Sequence, residues 1–303
     1  MRYEKIQPRD IELLTHLYFH RFLTGELIAH LPLTCGDFPS QQVANNRIRR
    51  LVEEKLAKAF TVHGIKGRVL RITENALPWI ADWLDVGMDD LSWNKHQKDP
   101  KGYFFLRHLL LNNKFRIAVE RATRDSDKEL IDYIPEHIGK RHVSGRITEN
   151  LSDSVADPVF AGLRVNHTPD AVFALRKNGK EALFFVEVDR GTERQYRNPD
   201  RPFYKMVRFY LGYMQTGRYK AFEELMGGAF TGFRVLLVSN SQKRIENMKA
   251  AMTITPSELQ QKQRFIWLSV FDESTSIKEY ASSFFEQTWR SLALGDNNEY
   301  RLL

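Results

Sequence analysis

Cysteine is nearly missing from this chain. Cys35 is the single one among 303 residues, which excludes an internal disulfide framework and a cysteine-rich zinc site. Long apolar runs are missing as well, and none approaches the ~20 residues that a bilayer-spanning helix needs. The opening MRYEKIQPRD is too charged for a secretory signal. Together these absences set the expectation of a cytoplasmic protein with no membrane partner. Neither a low-complexity tract nor an internal repeat is present. An apolar fraction of 42% and a charged fraction of 27% are those of an ordinary globular protein.

What the chain does have is positive charge. The net charge is +7 and the sequence pI about 9.3, which favours an anionic partner. Bulk charge speaks to association rather than to fold, so its location matters more. Residues 41–75 hold eight Lys/Arg against three acids, and this is most of the surplus.

That basic segment sits inside a helical pattern. Ile11, Leu14, Leu17, Tyr18 and Phe22 follow helical spacing from Pro8 onward. Thr24 is placed to cap a short second helix carrying Leu27, Ile28 and Leu31. Ser40 is placed to cap a third. In the third, Ala44, Ile48, Leu51, Val52 and Leu56 form one apolar stripe. Gln42, Asn45, Asn46, Arg49 and Arg50 occupy the opposite side. Two short strands, Ala59–Val62 and Arg68–Thr73, follow around the turn HGIKG. Three helices and a basic hairpin resemble a winged helix-turn-helix. In that reading Gln42, Asn45, Asn46 and Arg49 face base edges of double-stranded DNA, while Arg50, Lys66 and Arg68 meet phosphates. The competing reading is the same fold used for dimerisation, with a solvated basic face, so a homodimer stays open.

Between Pro169 and Asp189 runs PDAVFALRKNGKEALFFVEVD. Asn178-Gly179 signals a two-residue type I′ hairpin, because that turn needs positive φ at both positions. The turn sets Lys177 opposite Lys180 and, counting outward, Asp170 opposite Glu187. Strand alternation then gives Asp189 the face of Glu187. Both faces are otherwise apolar, as in the middle of a covered sheet. Opposed like charges destabilise a sheet. Two readings therefore stand: the acids cap neighbouring helices or meet arginines such as Arg190 or Arg194, or they hold a divalent metal.

The expected organisation is residues 1–76 as the DNA-binding domain, 77–102 as a helical connector, and 103–303 as an α/β domain with a helical tail. In the last, a long helix from about Tyr103 to Arg124 precedes a strand near Ile131–Pro135 and a polar loop to about Val165. The hairpin comes next, then a helix over 199–220, a strand over 233–239, a helix near 241–252 and a strand over 264–270. Helices alternating with strands imply an α/β layered fold with a mixed sheet.

This order, with PD in one strand and E-x-D in the next, resembles the PD-(D/E)xK nuclease superfamily over roughly residues 103–270. The N-terminal module followed by PDAVFAL and FFVEVDRGTE, with Lys205 and Tyr210 downstream, is similar to the replication-relaxation family. That family is associated with plasmid replication and relaxation of plasmid DNA in bacteria. The resemblance implies a DNA-binding protein of a plasmid or mobile element, working beside replication or relaxation proteins. Its nuclease pattern implies Asp170 and Glu187 as ligands of Mg²⁺ (or Mn²⁺). The chain departs from the pattern where Asp189 stands in place of a lysine. The resemblance then implies either Asp189 itself or Lys205 from the following helix as the assisting catalytic group, with Glu120 as an added outer ligand. The alternative it implies is an inactive nuclease fold, a regulator or relaxosome accessory that only binds DNA.

Overall fold

The computed structural model describes residues 6–91, 102–136, 151–189, 202–252, 261–271 and 273–302. The chain divides into two compact units, residues 1–121 and 122–303.

In the first unit, helix α1 (Pro8–His20) opens on a proline at its first turn, where a missing N–H costs nothing. Strand β1 (Leu23–Thr24) leads into α2 (Gly25–Ala29). Thr24 Oγ1 accepts the Leu27 N–H, as an N-cap should. Helix α3 (Gln41–Glu53) is capped the same way by Ser40, whose Oγ accepts the Val43 N–H. Its inner stripe of Ala44, Ile48 and Leu51 is buried. Arg47, also on α3, reaches the buried Asp10 of α1 at 3.3 Å. Strands β2 (Ala57–Thr61) and β3 (Arg68–Ile72) form an antiparallel hairpin. β1 adds to β3, giving the order β1-β3-β2. Helix α4 (Leu77–Leu84) follows.

Helix α5 (Tyr103–Arg124) carries the division between the units, which falls inside it at residue 121 rather than ahead of it. The reason is apolar: Leu106 and Leu109 pack in one cluster with Phe22 and Val69.

The second unit is built on a seven-stranded mixed sheet. In chain order its strands are β4 (Glu129–Pro135), β7 (Ala171–Lys177), β8 (Lys180–Asp189), β9 (Phe233–Ser239), β10 (Ile266–Val270), β11 (Trp289–Ser291) and β12 (Glu299–Tyr300). Their spatial order is β12-β11-β10-β9-β8-β7-β4. β8, β9 and β10 run parallel, and the flanking pairs are antiparallel. The α/β mixed-sheet expectation is met.

The hairpin at its centre has the register that the Asn-Gly turn dictates. Lys177 pairs with Lys180, and the ladder continues to Ala171 opposite Val186. Asn178 and Gly179 have φ of 50° and 73°, both in the left-handed region that the type I′ turn requires. On one face Val172, Ala174, Leu183 and Phe185 enter the main core with helix α6 (Pro202–Thr216). There Phe185 meets Tyr210, Tyr213, Phe222 and Phe233 edge-on, at 4.9–5.7 Å between ring centroids. On the other face Phe173 stacks between Tyr133 and Phe184.

Two parts differ from expectation. The polar loop ahead of the hairpin contains a separate antiparallel pair, β5 (Asp153–Ala156) and β6 (Arg164–His167). The helical tail is only α9 (Ile277–Ser283), after which the chain returns to the sheet as β11 and β12. These last strands have three and two residues, too few to show a period of two.

Candidate functional site

Two surfaces concentrate the chemistry, one in each unit. In the first unit, Gln42, Asn45, Asn46 and Arg49 are all exposed along the outer side of α3, and Arg50 is half-exposed. Lys66 and Arg68 are exposed at the end of the β2–β3 hairpin. The amides form an ordered row. Gln41 Nε2 donates to the Gly25 carbonyl at 2.7 Å and to Asn45 Oδ1 at 3.1 Å, and Gln42 Nε2 donates to Asn46 Oδ1 at 3.1 Å. Arg47, by contrast, is spent on Asp10 and does not join this surface.

In the second unit the centre is Glu187, 8% exposed near the end of β8. Its Oε1 accepts two hydrogen bonds, from His167 Nε2 at 2.6 Å and from the Tyr210 hydroxyl at 2.5 Å. Asp170 precedes β7. Its N–H donates to the Val186 carbonyl, and its Oδ2 accepts the Val188 N–H at 2.7 Å. Its charge falls on Glu187, His167 and Tyr210 alike.

His167 is brought here by a clamped arm. The β5–β6 pair packs on α6 through Val155 and Val165. Arg208 of α6 reaches the nearly buried Asp157 at 3.1 Å. Arg218 holds Asp153 at 2.7 Å. At the arm's end the imidazole sits 5.4–5.5 Å from the rings of Phe209 and Tyr210.

The electrostatics follow from burial beside acids. Burial disfavours the charged imidazole, but Glu187, with Asp170 and Glu136 adding to it, outweighs that and raises His167 above its ordinary value. Burial likewise raises Glu187, against the opposing pull of His167 and Tyr210. The group that faces the two acids is thus a histidine, hydrogen-bonded to Glu187.

Asp189 and Lys205 lie apart from this cluster. Asp189 is gripped by Arg244 of α8 (Gln242–Ala251) through two bonds at 2.7 and 2.8 Å, and by the Ser239 hydroxyl at 2.9 Å. Such a bidentate pair is strong and directional. Lys205 is exposed on α6. Arg190 and Arg194 lie outside the described residues. Glu120 belongs to the first unit, where Arg116 holds it at 2.6 Å. His167, Ser239 and Arg244 escape sequence reasoning, because no spacing ties them to the acids they meet.

Chemically, Asp170 and Glu187 offer oxygen donors of the kind that hard divalent cations take. A cation entering here competes with the His167 and Tyr210 hydrogen bonds already on Glu187 Oε1. The donors fit in kind, and their hydrogen bonds set the terms of entry.

No helix among the described residues is long and apolar enough to cross a membrane. No curated protein and no solved structure matches the chain. One family pattern does, described as replication-relaxation, and it spans residues 14–226, more than two thirds of the sequence. With the hairpin, its acids and most of the first unit inside that span, the chain belongs to the replication-relaxation family, which associates it with replication and relaxation of mobile elements.

Proposed function

We propose that this protein binds double-stranded DNA of a plasmid or other mobile element through its first unit. The single observation that carries the reading is the outer side of α3. It presents exposed Gln42, Asn45, Asn46 and Arg49, flanked by the exposed Lys66 and Arg68 of the hairpin. Amides and an arginine on a helix suit base edges, and cations on a wing suit phosphates. In this reading the unit is a winged helix, with α3 in the major groove and the β2–β3 hairpin against the backbone. Arg49→Ala and Arg68→Ala weaken duplex binding measured by fluorescence anisotropy, while leaving the fold intact because both side chains are exposed. Undetectable binding by the parent protein at low salt would overturn the reading.

A second reading is nicking of the bound DNA by a nuclease-like second unit. It is favoured by the charge of Asp170 acting on Glu187, with the two residues at adjoining ends of β7 and β8. These two acids would hold Mg²⁺ or Mn²⁺, and the ion would supply phosphate polarisation and a hydroxide at neutral pH. The chain's own part is then to orient and to move protons. Tyr210 fixes the Glu187 carboxylate, and His167 must give up its hydrogen bond to Glu187 Oε1 before that oxygen is available. Asp189, tied to Arg244 and Ser239, shapes the strand end, and Lys205 supplies charge from α6. Supercoiled plasmid incubated with Mg²⁺ or Mn²⁺ decides the matter. Nicking that Asp170→Ala and Glu187→Ala abolish supports it, and nicking indifferent to both removes the site. No nicking with either ion leaves a regulator or relaxosome accessory that only binds DNA.

A further inference from the structure

On α1, His16 and His20 stand one turn apart on the same helix face, their rings stacked with centroids 5.9 Å apart. Glu120 of α5 reaches the same place. One ligand atom from each of the three lies within 4.8 Å of the others. Among the described residues no other set of three His, Cys, Asp or Glu side chains converges in this way.

The surroundings orient the set as a metal site's outer partners do. Asn113 Nδ2 donates to the carbonyls of His20 and Phe22 at 2.9 and 2.8 Å. Its Oδ1 is therefore the atom turned to His20 Nδ1, at 3.1 Å. An amide oxygen only accepts, so His20 carries its proton on Nδ1 and presents Nε2 as a lone-pair donor. Arg116 Nε binds Glu120 Oε1 at 2.6 Å and fixes the plane of that carboxylate. Burial, with Arg116 adding to it, keeps His16 below its ordinary value, offset in part by Glu120 and Glu12.

We propose that His16, His20 and Glu120 form a divalent transition-metal site in the first unit, with zinc as its ion. Two imidazoles and one carboxylate are a common zinc set with a fourth position left for water. Bonds of about 2.1 Å in a tetrahedral site put the donors about 3.4 Å apart. From separations within 4.8 Å, the donors close to that distance by side-chain rotation. The site joins α1 to α5 within the first unit. It does not depend on what the second unit does. Among the described residues, Arg116 acts on His16 as a cation, and the negative charges of Glu120 and Glu12 face it from α5 and α1.

The test uses the full chain without an affinity tag, stripped with chelator and titrated with Zn²⁺ and, separately, Co²⁺. The expected result is one tightly bound equivalent, a visible Co²⁺ spectrum of a four-coordinate nitrogen–oxygen site, and a thermal midpoint raised by Zn²⁺. His16→Gln, at a half-buried position, and Glu120→Gln each lower the affinity at least tenfold and flatten the Co²⁺ bands. Circular dichroism confirms that both variants fold. Asp170→Ala and Glu187→Ala keep the bound equivalent, which separates this site from the acids of the second unit. The absence of a stoichiometric ion, retention of full affinity in both site variants, or loss of the ion with Asp170→Ala would each overturn the proposal.

Discussion

Glu12 illustrates how a single side chain sets a pH response. Its Oε1 accepts the Thr34 N–H at 2.5 Å and the Thr34 hydroxyl at 2.8 Å, and its Oε2 accepts the Cys35 N–H at 2.9 Å. Burial works to raise its pKa, but the hydrogen bonds from Cys35 and Thr34 win and hold it below the ordinary 4.5. A depressed folded value means that the contribution to stability is present above 4.5 and is lost as pH falls through the folded value. Glu12→Gln is expected to lower stability at neutral pH by about 1–3 kcal/mol, because its amide sets donor against donor. Urea unfolding at stepped pH should show that difference closing as the medium turns acid. At this scale, legibility in the sequence depended on distance along the chain. The caps Thr24 and Ser40 act three residues away and were readable. His167 meets Glu187 across 20 positions, and Arg244 meets Asp189 across 55. No local pattern announces either.

Among the elements, the β5–β6 arm brings His167 to Glu187, and α6 decides where the arm lies. Gly212 of α6 permits the approach. A β-carbon there would stand 2.8 Å from the Ala156 carbonyl oxygen and 2.9 Å from Val155 Cγ2. A carbonyl of the arm's own backbone cannot step aside cheaply. Gly212→Ala is expected to cost about 1–3 kcal/mol in stability, as overpacking does. It should also shift the imidazole resonances of His167 in NMR spectra, whereas an unchanged imidazole signal would mean that the arm does not position that ring. This element was invisible in the sequence for a plain reason. DSVA and RVNH carry one fully buried residue each, Val155 and Val165, so neither shows a period. The β7–β8 hairpin was visible because its turn, its register and both apolar faces are all local.

For the whole molecule, the family match stops at residue 226, ahead of β9. Four of the seven sheet strands, β9 to β12, therefore lie beyond it. Ser239 and Arg244, which anchor Asp189, also come from that later stretch. The charge of +7 belongs to the molecule as a whole, and DNA affinity is expected to fall steeply with salt. Each phosphate contact removed should lower the slope of log affinity against log salt by about 0.9. Arg68→Ala should show that reduction, while Arg49→Ala should weaken binding with a greater effect on sequence preference. Filter binding over a salt series checks both. The two-residue turn at Asn178-Gly179 has one more effect, on the order of assembly. β7 and β8 close a minimal loop, whereas β8 must wait for residues 190–232 before β9 arrives, and longer closures carry a larger entropic penalty. The hairpin is then the seed of the sheet. In pulse-labelled refolding, amides of β7 and β8 should become protected before those of β9 and β10, and the acids will be in position before the parallel half of the sheet exists.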